Sequence, residues 1–421
     1  MPKLLYVCLD GLGDEPHPDL GDRTPVEAAA TPFLDDLARR GRNGLVHTVG
    51  PEIAPESDIA VFAILGYDPA EEHPGRGVLE ALGAGMEFRD GHLAHRVNFA
   101  TADGERIVDR RVGRDLSSDD ARALAEEVNE KLRLPSATFE LRATIEHRGA
   151  VVIRSPDAPL SANVSNTDPA YAKLGNLGVA LEEFEEQVAW SLPLDETDEA
   201  RRAADLTNEL VRGSALILDT SEINRRRREE GRLPGNLILT RDAGDHIPRP
   251  QPIRERFGLS WGCFVEMPVE RGIAMVLGMG EVAAPDPADP DQRYSAWASL
   301  AADALDGFDA LYIHIKGPDI PAHDGRALDK RDICEVIDRS FFGEVLPRID
   351  PSEVLVAVTA DHATSCLRKA HTADPVPLVA AGRGVQPDGV TSFGERAARD
   401  GAIGTIRGVD ILTRLSALLR G

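Results

Sequence analysis

The sequence predicts an α/β protein: a doubly wound, mostly parallel sheet assembled from both ends of the chain, with an α+β cap domain inserted in the middle. Three observations predict it. Short unbroken apolar runs occur near both ends, KLLYVCLD at the start and NLILTR, IAMVLG, DALYIHIKG, EVLVAVTADH and VPLVAAG from Asn236 onward, with helical stretches among them. Such runs suit strands covered on both faces. Between about residues 85 and 225 the pattern changes to strand pairs and amphipathic helices. Finally, 421 residues exceed what one compact core accommodates, so two domains are expected. The segments are then 1–84 and 226–421 for the sheet domain and 85–225 for the insert.

The elements follow in order. After KLLYVCLD comes TPVEAAATPFLDDLARRG, with Thr24 as N-cap, Pro25 at the first helical position and Gly41 as a stop. PESDIAVFAILGYDP is a second helical segment ending at Gly66. HLAHRVNFATADGERIVDRR reads as two strands around an Asp-Gly turn. SSDDARALAEEVNEKL is an amphipathic helix with a Ser cap and an acidic first turn, and TFELRATIEHRGAVVIRS is a strand pair. LDETDEARRAADLTNELVRGSALILDTSEINRRRREEG returns to helices, and the Arg run at 225–228 reads as a solvated helix face. APDPADPDQ (284–292) is a short loop, and there are no internal repeats.

Composition narrows the function. The net charge is −24, spread along the chain, which disfavours a nucleic-acid partner because phosphate backbones require a basic face. Only six residues are Lys, so Arg supplies nearly all the positive charge, and an anionic ligand would need Arg concentrated locally. No segment has the apolar length of a membrane span. MPKLLYVCLDG lacks the regions of a signal peptide, so the cytoplasm is the expected compartment. Four Cys without CxxC spacing (Cys8, Cys263, Cys334, Cys366) read as reduced structural thiols.

Chemistry concentrates in four pieces at or after strand ends. CLDGLGD carries Asp10, and PESD places Ser57 at a helix start. KGPDIPAHDG carries Asp319 and His323, and TADHATSCLRKAH carries Asp361, His362 and, nine residues on, His371. In a parallel sheet the carboxyl ends of strands share one edge, where ligands bind. Three Asp, three His and a Ser are too many ligands for one ion and about right for two. Mixed carboxylate and imidazole donors suit ions such as Mn²⁺ or Zn²⁺, and two-metal sites activate a nucleophile and hold a transferring phosphoryl group. Singly, each piece is weak: a strand-end Asp-Gly is more often a turn, a lone His structural, a Ser before a helix an N-cap. Their combination in this order is far more specific. ALGAG, with Gly83 and Gly85, lacks the Lys and spacing of a P-loop.

The order Asp-Gly, Ser, Asp-x-x-x-His, Asp-His, His resembles the alkaline phosphatase superfamily, and within it the archaeal-type 2,3-bisphosphoglycerate-independent phosphoglycerate mutases. DGLGDEP, TPVEAAATPFLDDLARRG, ESDIAVFAILGYDP, GRGVLEALGAGMEF, RVNFATADG, DRRVGR, HIKGPDIPAHDG and TADHATSC carry the likeness over most of the chain. The resemblance implies an alkaline-phosphatase-like domain with an inserted cap, and interconversion of 3-phosphoglycerate and 2-phosphoglycerate through a phosphoserine, without 2,3-bisphosphoglycerate. It implies Ser57 as nucleophile; Asp10, Asp361, His362 and the Ser57 hydroxyl around one ion; and Asp319, His323 and His371 around another. Two divalent ions per chain are expected, Mn²⁺ foremost, with Zn²⁺, Mg²⁺ or Co²⁺ as alternatives.

For a small phosphorylated hydroxy acid, the candidate cations are Arg110, Arg111 and Arg114 of DRRVGR, Arg241 of LTRDAG, and Lys316. Asp168 and Asp109 are candidates for the group that moves protons between hydroxyls. The alternative is a phosphatase, or a phosphotransferase acting on another small hydroxy acid or amino acid, as in homoserine kinase-like relatives. A non-catalytic metal-stabilised binding protein fits less well, because such a chain has no need of Ser57 among the ligands.

Overall fold

The computed structural model describes residues 3–174, 177–181, 183–247 and 249–420; Met1 and Pro2, at the head of the first apolar run, lie outside them. The chain forms two compact units. The first comprises Met1–Glu72, Arg249–Glu266 and Ala274–Gly421; the second comprises His73–Pro248 and Met267–Ile273.

The first unit is built on an eight-stranded sheet, in spatial order Gly280–Glu281, Trp261–Phe264, Ala310–Ile315, Lys3–Leu9, Val354–Thr359, Val376–Gly382, Gly41–His47 and Gly404–Arg407. Five neighbouring pairs are parallel. Val376–Gly382 alone runs against both of its neighbours. Ala310–Ile315 and Val354–Thr359 are buried at every position, as expected for strands covered on both faces. Lys3–Leu9 lies between these two in the same direction, so all three strands end at one edge. That edge is where Asp10, Lys316, Asp319, Asp361 and His362 follow in the chain. Thr24 caps the helix Pro25–Ala28 in a capping box with Glu27, as the sequence signals. All four cysteines are buried and free.

The second unit is α+β. Its antiparallel sheet runs Arg106–Asp109, Leu93–Asp103, Arg148–Arg154, Thr138–Ala143, and Leu237–Gly244 also pairs with Leu93–Asp103. On one face, Val97, Phe99, Val151 and Ile153 pack with Leu124 and Val128 of the helix Ser118–Lys131 and Leu206 and Leu210 of the helix Asp198–Asp219. On the other, Ala94, Ala150 and Val152 pack with Val78 and Ala81 of the helix Arg76–Gly83.

Three expectations change. The insert limits of 85 and 225 move outward, because the helix 76–83 and the strand 237–244 both close the second unit's sheet. IAMVLG, expected as a strand, lies in the helix Pro268–Leu277; a short apolar run does not distinguish the two states. In the Arg run, Arg225, Arg226 and Arg228 are exposed, but Arg227 is fully buried, donating to the Leu233 carbonyl at 2.8 Å and pairing with Asp115. No helix among the described residues is long and apolar enough to cross a membrane.

Candidate active site

Local structure aims each group of the first unit. Asp10 immediately follows Lys3–Leu9, held by its N–H donating to the Ile315 carbonyl at 2.9 Å. Gly11 follows with φ +60°; a Cβ there would lie 2.6 Å from Asp319 Oδ1 and 2.7 Å from Thr364 Oγ1. Only glycine lets the chain pass between those groups. Asp319 opens and His323 closes the short helix Asp319–His323. Asp361 and His362 directly precede a hairpin of Ala363–Ser365 with Ala370–Thr372, in which Thr364 faces His371. The hairpin explains the nine-residue gap: it returns His371 to stack on His362, with ring centroids 3.7 Å apart.

Ser57 is the first residue of the helix Ser57–Ile64, and Glu56 occupies the N-cap. Its hydroxyl lies 3.1 Å from His362 Nε2. The side chain is therefore turned to the imidazole, and the bland reading of Ser57 as a cap does not describe it.

Proton positions follow from the acceptors. Thr364 Oγ1 donates to Asp319 Oδ1 at 2.9 Å, so its oxygen accepts from His362 Nδ1–H at 3.0 Å. His362 Nε2 is then a lone pair, 3.3 Å from Asp361 Oδ2 and 3.5 Å from Asp10 Oδ1. Both of those oxygens are buried without a hydrogen-bond partner. His371 Nδ1–H donates to the Pro55 carbonyl at 2.7 Å and His323 Nδ1–H to the Lys369 carbonyl at 3.3 Å. Their Nε2 atoms face each other at 3.2 Å, with Asp319 Oδ1 3.4 Å from His323 Nε2 and 3.9 Å from His371 Nε2. Converging lone pairs and orphaned carboxylate oxygens repel one another unless a cation lies among them. The donor set fits divalent metal, with Asp319, His323 and His371 in one group and Asp10, Asp319 and His362 in another.

Electrostatics agree. Burial, then the nearby Asp10, pushes Asp361 up to about 7. Burial opposes ionisation of Asp10 too, but Lys316, His314 and His362 outweigh it and hold that carboxyl well below its usual range. Burial lowers His362 and His371, keeping their rings neutral and able to bind metal. Lys316 reaches Asp10 Oδ2 with its ammonium.

Residues the sequence reading passed over complete the site. His314 Nε2 lies 2.9 Å from Asp10 Oδ2, and its Nδ1 lies 2.8 Å from the Tyr312 hydroxyl. Partners of this kind fix the orientation of a metal-binding carboxylate. Its signal was a single imidazole in the otherwise apolar run ALYIHI. Thr364 carried no such signal. Lys330, fully buried, donates to Asp14 Oδ2, the Gly13 carbonyl and the Thr364 carbonyl, tying the loop after the first strand to the hairpin.

The remaining candidates lie in the second unit. Arg110 grips Asp168 with two hydrogen bonds, 2.8 and 2.6 Å, and Asp168 is buried. Tyr171 is flanked by Arg110 at 5.2 Å and by Arg241 at 3.6 Å from its ring centroid. Asp109 Oδ1 accepts from the N–H groups of Arg111 (2.7 Å) and Gly113 (2.9 Å), so its carboxylate turns the DRRVGR loop. Val112, Gly113 and Arg114 all have φ near +60° there. Burial, then Arg114, lowers Arg111.

The sequence model described as 2,3-bisphosphoglycerate-independent phosphoglycerate mutase matches residues 38–224. Proteins bearing that name are similar over essentially the whole length: one from Aeropyrum pernix is 42% identical, covering 100% of both chains, and one from Thermococcus kodakarensis is 36% identical, covering 99% of this chain and 97% of its own. Among solved structures, the cofactor-independent phosphoglycerate mutase of Thermoplasma acidophilum is 32% identical with a TM-score of 0.66, covering all of both chains. A Pyrococcus horikoshii protein is 30% identical with a TM-score of 0.81, covering 100% of this chain and 97% of its own.

Proposed function

The chain belongs to the 2,3-bisphosphoglycerate-independent phosphoglycerate mutases, and from that premise we propose that it interconverts 3-phosphoglycerate and 2-phosphoglycerate through a phosphoserine at Ser57. The observation that carries the reading is the Ser57 hydroxyl, off its cap position and 3.1 Å from His362 Nε2, beside the orphaned oxygens of Asp10 and Asp361.

Asp10, Asp361, His362 and Ser57 would hold one divalent ion, and Asp319, His323 and His371 a second. Bound there, such ions supply Lewis acidity for the phosphoryl oxygens and lower the pKa of the serine hydroxyl. Mn²⁺ is the foremost candidate for this nitrogen and oxygen set, which contains no thiolate. Ser57 attacks phosphorus, its P–O bond forming as the bond to the glycerate oxygen breaks. The serine proton is given up as the bond forms, and the freed glycerate oxygen takes up a proton to become a hydroxyl. In the reverse sequence the neighbouring hydroxyl gives up its proton, attacks the phosphoserine and releases the Ser57 oxygen, which is reprotonated. Ser57 is the first residue of its helix, and the positive end of the helix dipole there would favour the charge of the transferring group. Arg110, Arg111, Arg114 and Arg241 are assigned to the acid, as is Lys316. Asp168 is assigned to the proton movement, since Asp109 shapes its own loop.

The test is a coupled assay of purified protein on 3-phosphoglycerate without 2,3-bisphosphoglycerate. Activity should disappear with chelator and return with Mn²⁺, and metal analysis should find about two ions per chain. Undiminished turnover after exhaustive chelation would refute the metal assignment, and free phosphate as the main product would replace the mutase with a phosphatase.

A further inference from the structure

We propose that Lys330 is a positioning residue for the metal centre of the first unit: its buried ammonium fixes three ligand-bearing segments against one another and so sets the affinity for divalent ions. The inference rests on the metal assignment made under the proposed function and concerns a side chain outside the ligand set.

The first observation is where Lys330 stands in the chain. It belongs to the helix Ala327–Ile337, which follows the helix Asp319–His323 that carries two ligands. The turn between them is closed by hydrogen bonds. Gly325 N–H donates to the Ala322 carbonyl and Arg326 N–H to the Pro321 carbonyl, both at 2.9 Å. Lys330 N–H donates in turn to the Arg326 carbonyl at 3.0 Å. The backbone of Lys330 is thereby tied to the helix that holds Asp319 and His323.

The second observation is what the ammonium holds. Each of its three N–H donors has an acceptor: the Gly13 carbonyl at 2.9 Å, Asp14 Oδ2 at 3.0 Å and the Thr364 carbonyl at 2.8 Å. Gly13 and Asp14 lie in the loop that begins with Asp10. Thr364 lies in the hairpin that starts just after Asp361 and His362 and brings back His371. The Gly13 carbonyl also accepts from Thr364 N–H at 2.9 Å, and a Cβ on Gly13 would lie 2.8 Å from that of Ala363. Thr364 is the residue whose hydroxyl joins His362 to Asp319. One ammonium therefore stands where three segments meet, and each of them carries at least one ligand of the groups Asp10–Asp319–His362 and Asp319–His323–His371.

The third observation is the enclosure of the pair. The side chains of Lys330 and Asp14 are 0% and 1% exposed. Asp14 Oδ1 accepts from the N–H groups of Glu15 at 2.8 Å and Cys366 at 3.1 Å, and Asp14 N–H donates to Glu395 at 3.1 Å. Taking an ammonium and a carboxylate out of water often costs more than their attraction returns, and apolar side chains of similar volume fill a core as well or better. Apolar side chains do not supply three directed bonds that favour one arrangement of the loops over all others. A metal site requires that selection, because its ligands must be held within about 0.5 Å of the productive geometry by locked supporting groups.

The experiment measures Mn²⁺ binding by calorimetry to full-length protein stripped of metal, for wild type, Lys330→Met and Lys330→Met/Asp14→Asn. The double variant removes both charges and leaves no unpaired buried carboxylate, so the proposal stays decidable if the single variant fails to fold. In the folded double variant Mn²⁺ should bind at least about tenfold more weakly. The rise in melting temperature on adding Mn²⁺ should shrink with it. The control is Arg227→Met/Asp115→Asn, which removes a buried pair of the second unit and should leave Mn²⁺ affinity within about twofold of wild type. Unchanged affinity in the Lys330 double variant, or equal weakening in the control, would make Lys330 a core residue and overturn the proposal. The mutase reading fails separately: wild type that binds Mn²⁺ and turns 3-phosphoglycerate mainly into free phosphate would refute that reading, while weakened Mn²⁺ binding without Lys330 would still support the positioning role.

Discussion

The two units present charged groups in contrasting ways. In the first, carboxylates and imidazoles stand just past the ends of three adjacent parallel strands, Lys3–Leu9, Ala310–Ile315 and Val354–Thr359, with a hairpin bringing back one more ring. In the second, guanidiniums stand on the face of an antiparallel sheet and on a strained loop. The first arrangement is a set of lone pairs fixed by backbone and by buried partners such as Thr364 and Lys330. The second is a set of long cationic side chains whose positions depend on Glu80, Asp168 and a stacked tyrosine. On the proposed function, the first would fix the geometry of bond making and the second would recognise the acid. Substitutions in the first should abolish chemistry, whereas those in the second should alter affinity and product ratio.

The sharpest way to break that distinction is at Ser57. Ser57→Ala should lower turnover by about 10⁴-fold or more, as loss of a nucleophile does. Because Glu56 and not Ser57 is the N-cap, the stability cost should stay below about 1 kcal/mol. Retained turnover with a lowered melting temperature would make Ser57 structural. Next comes Gly11→Ala. Its methyl would fall within 3 Å of Asp319 and Thr364 in a left-handed backbone position, so metal content should fall along with activity. A Gly11 variant with full metal content would show that the centre tolerates more movement than the strand-end geometry allows.

In the second unit the expected effects are smaller and different in kind. Arg114→Ala, at an exposed position, should reduce isomerisation by about 10²-fold through misplacement of the acid, and raise the ratio of free phosphate to 2-phosphoglycerate. Measurement of both products decides: equal loss of both would mean that Arg114 acts in forming the phosphoserine.

The smallest effect concerns stability alone. Burial pushes Glu395 from 4.5 up to about 7, although Thr24 donates to it. A carboxyl with a raised folded-state pKa favours the folded state when protonated, so this contribution is complete below about 4.5 and is lost as pH rises through about 7. Wild type should therefore lose stability relative to Glu395→Gln over that interval, by at most about 3 kcal/mol, in denaturant melts at a series of pH values. A pH-independent difference would refute the assignment.

The contrast between the units also explains what the sequence disclosed. Asp10, Asp319, Asp361 and His362 were legible because a strand end is a local signal and each sits in a short motif beside one. His314 and Thr364 reach Asp10 and Asp319, far away in the chain; a lone imidazole in the apolar run ALYIHI is the one local sign of the first, and the second has none. Lys330 meets Gly13 and Thr364 only through the fold, which no spacing encodes. For the same reason Leu237–Gly244 was read into the wrong sheet: its apolar pattern suits a strand in either unit, and its pairing with Leu93–Asp103 is a long-range fact. Arg227 was hidden among exposed arginines because its burial depends on Asp115 and Leu233 closing over it.

The central claim is that the phosphoryl group passes through Ser57, and acid-quenched enzyme tests it most directly. Protein mixed with 3-phosphoglycerate in the presence of Mn²⁺, quenched and digested, should yield the peptide containing Ser57 heavier by one phosphoryl group, with the modified peptide absent after chelation and absent from Ser57→Ala. A phosphoryl group on another residue, or rapid isomerisation in which no phosphoenzyme accumulates under any quench time, would contradict it.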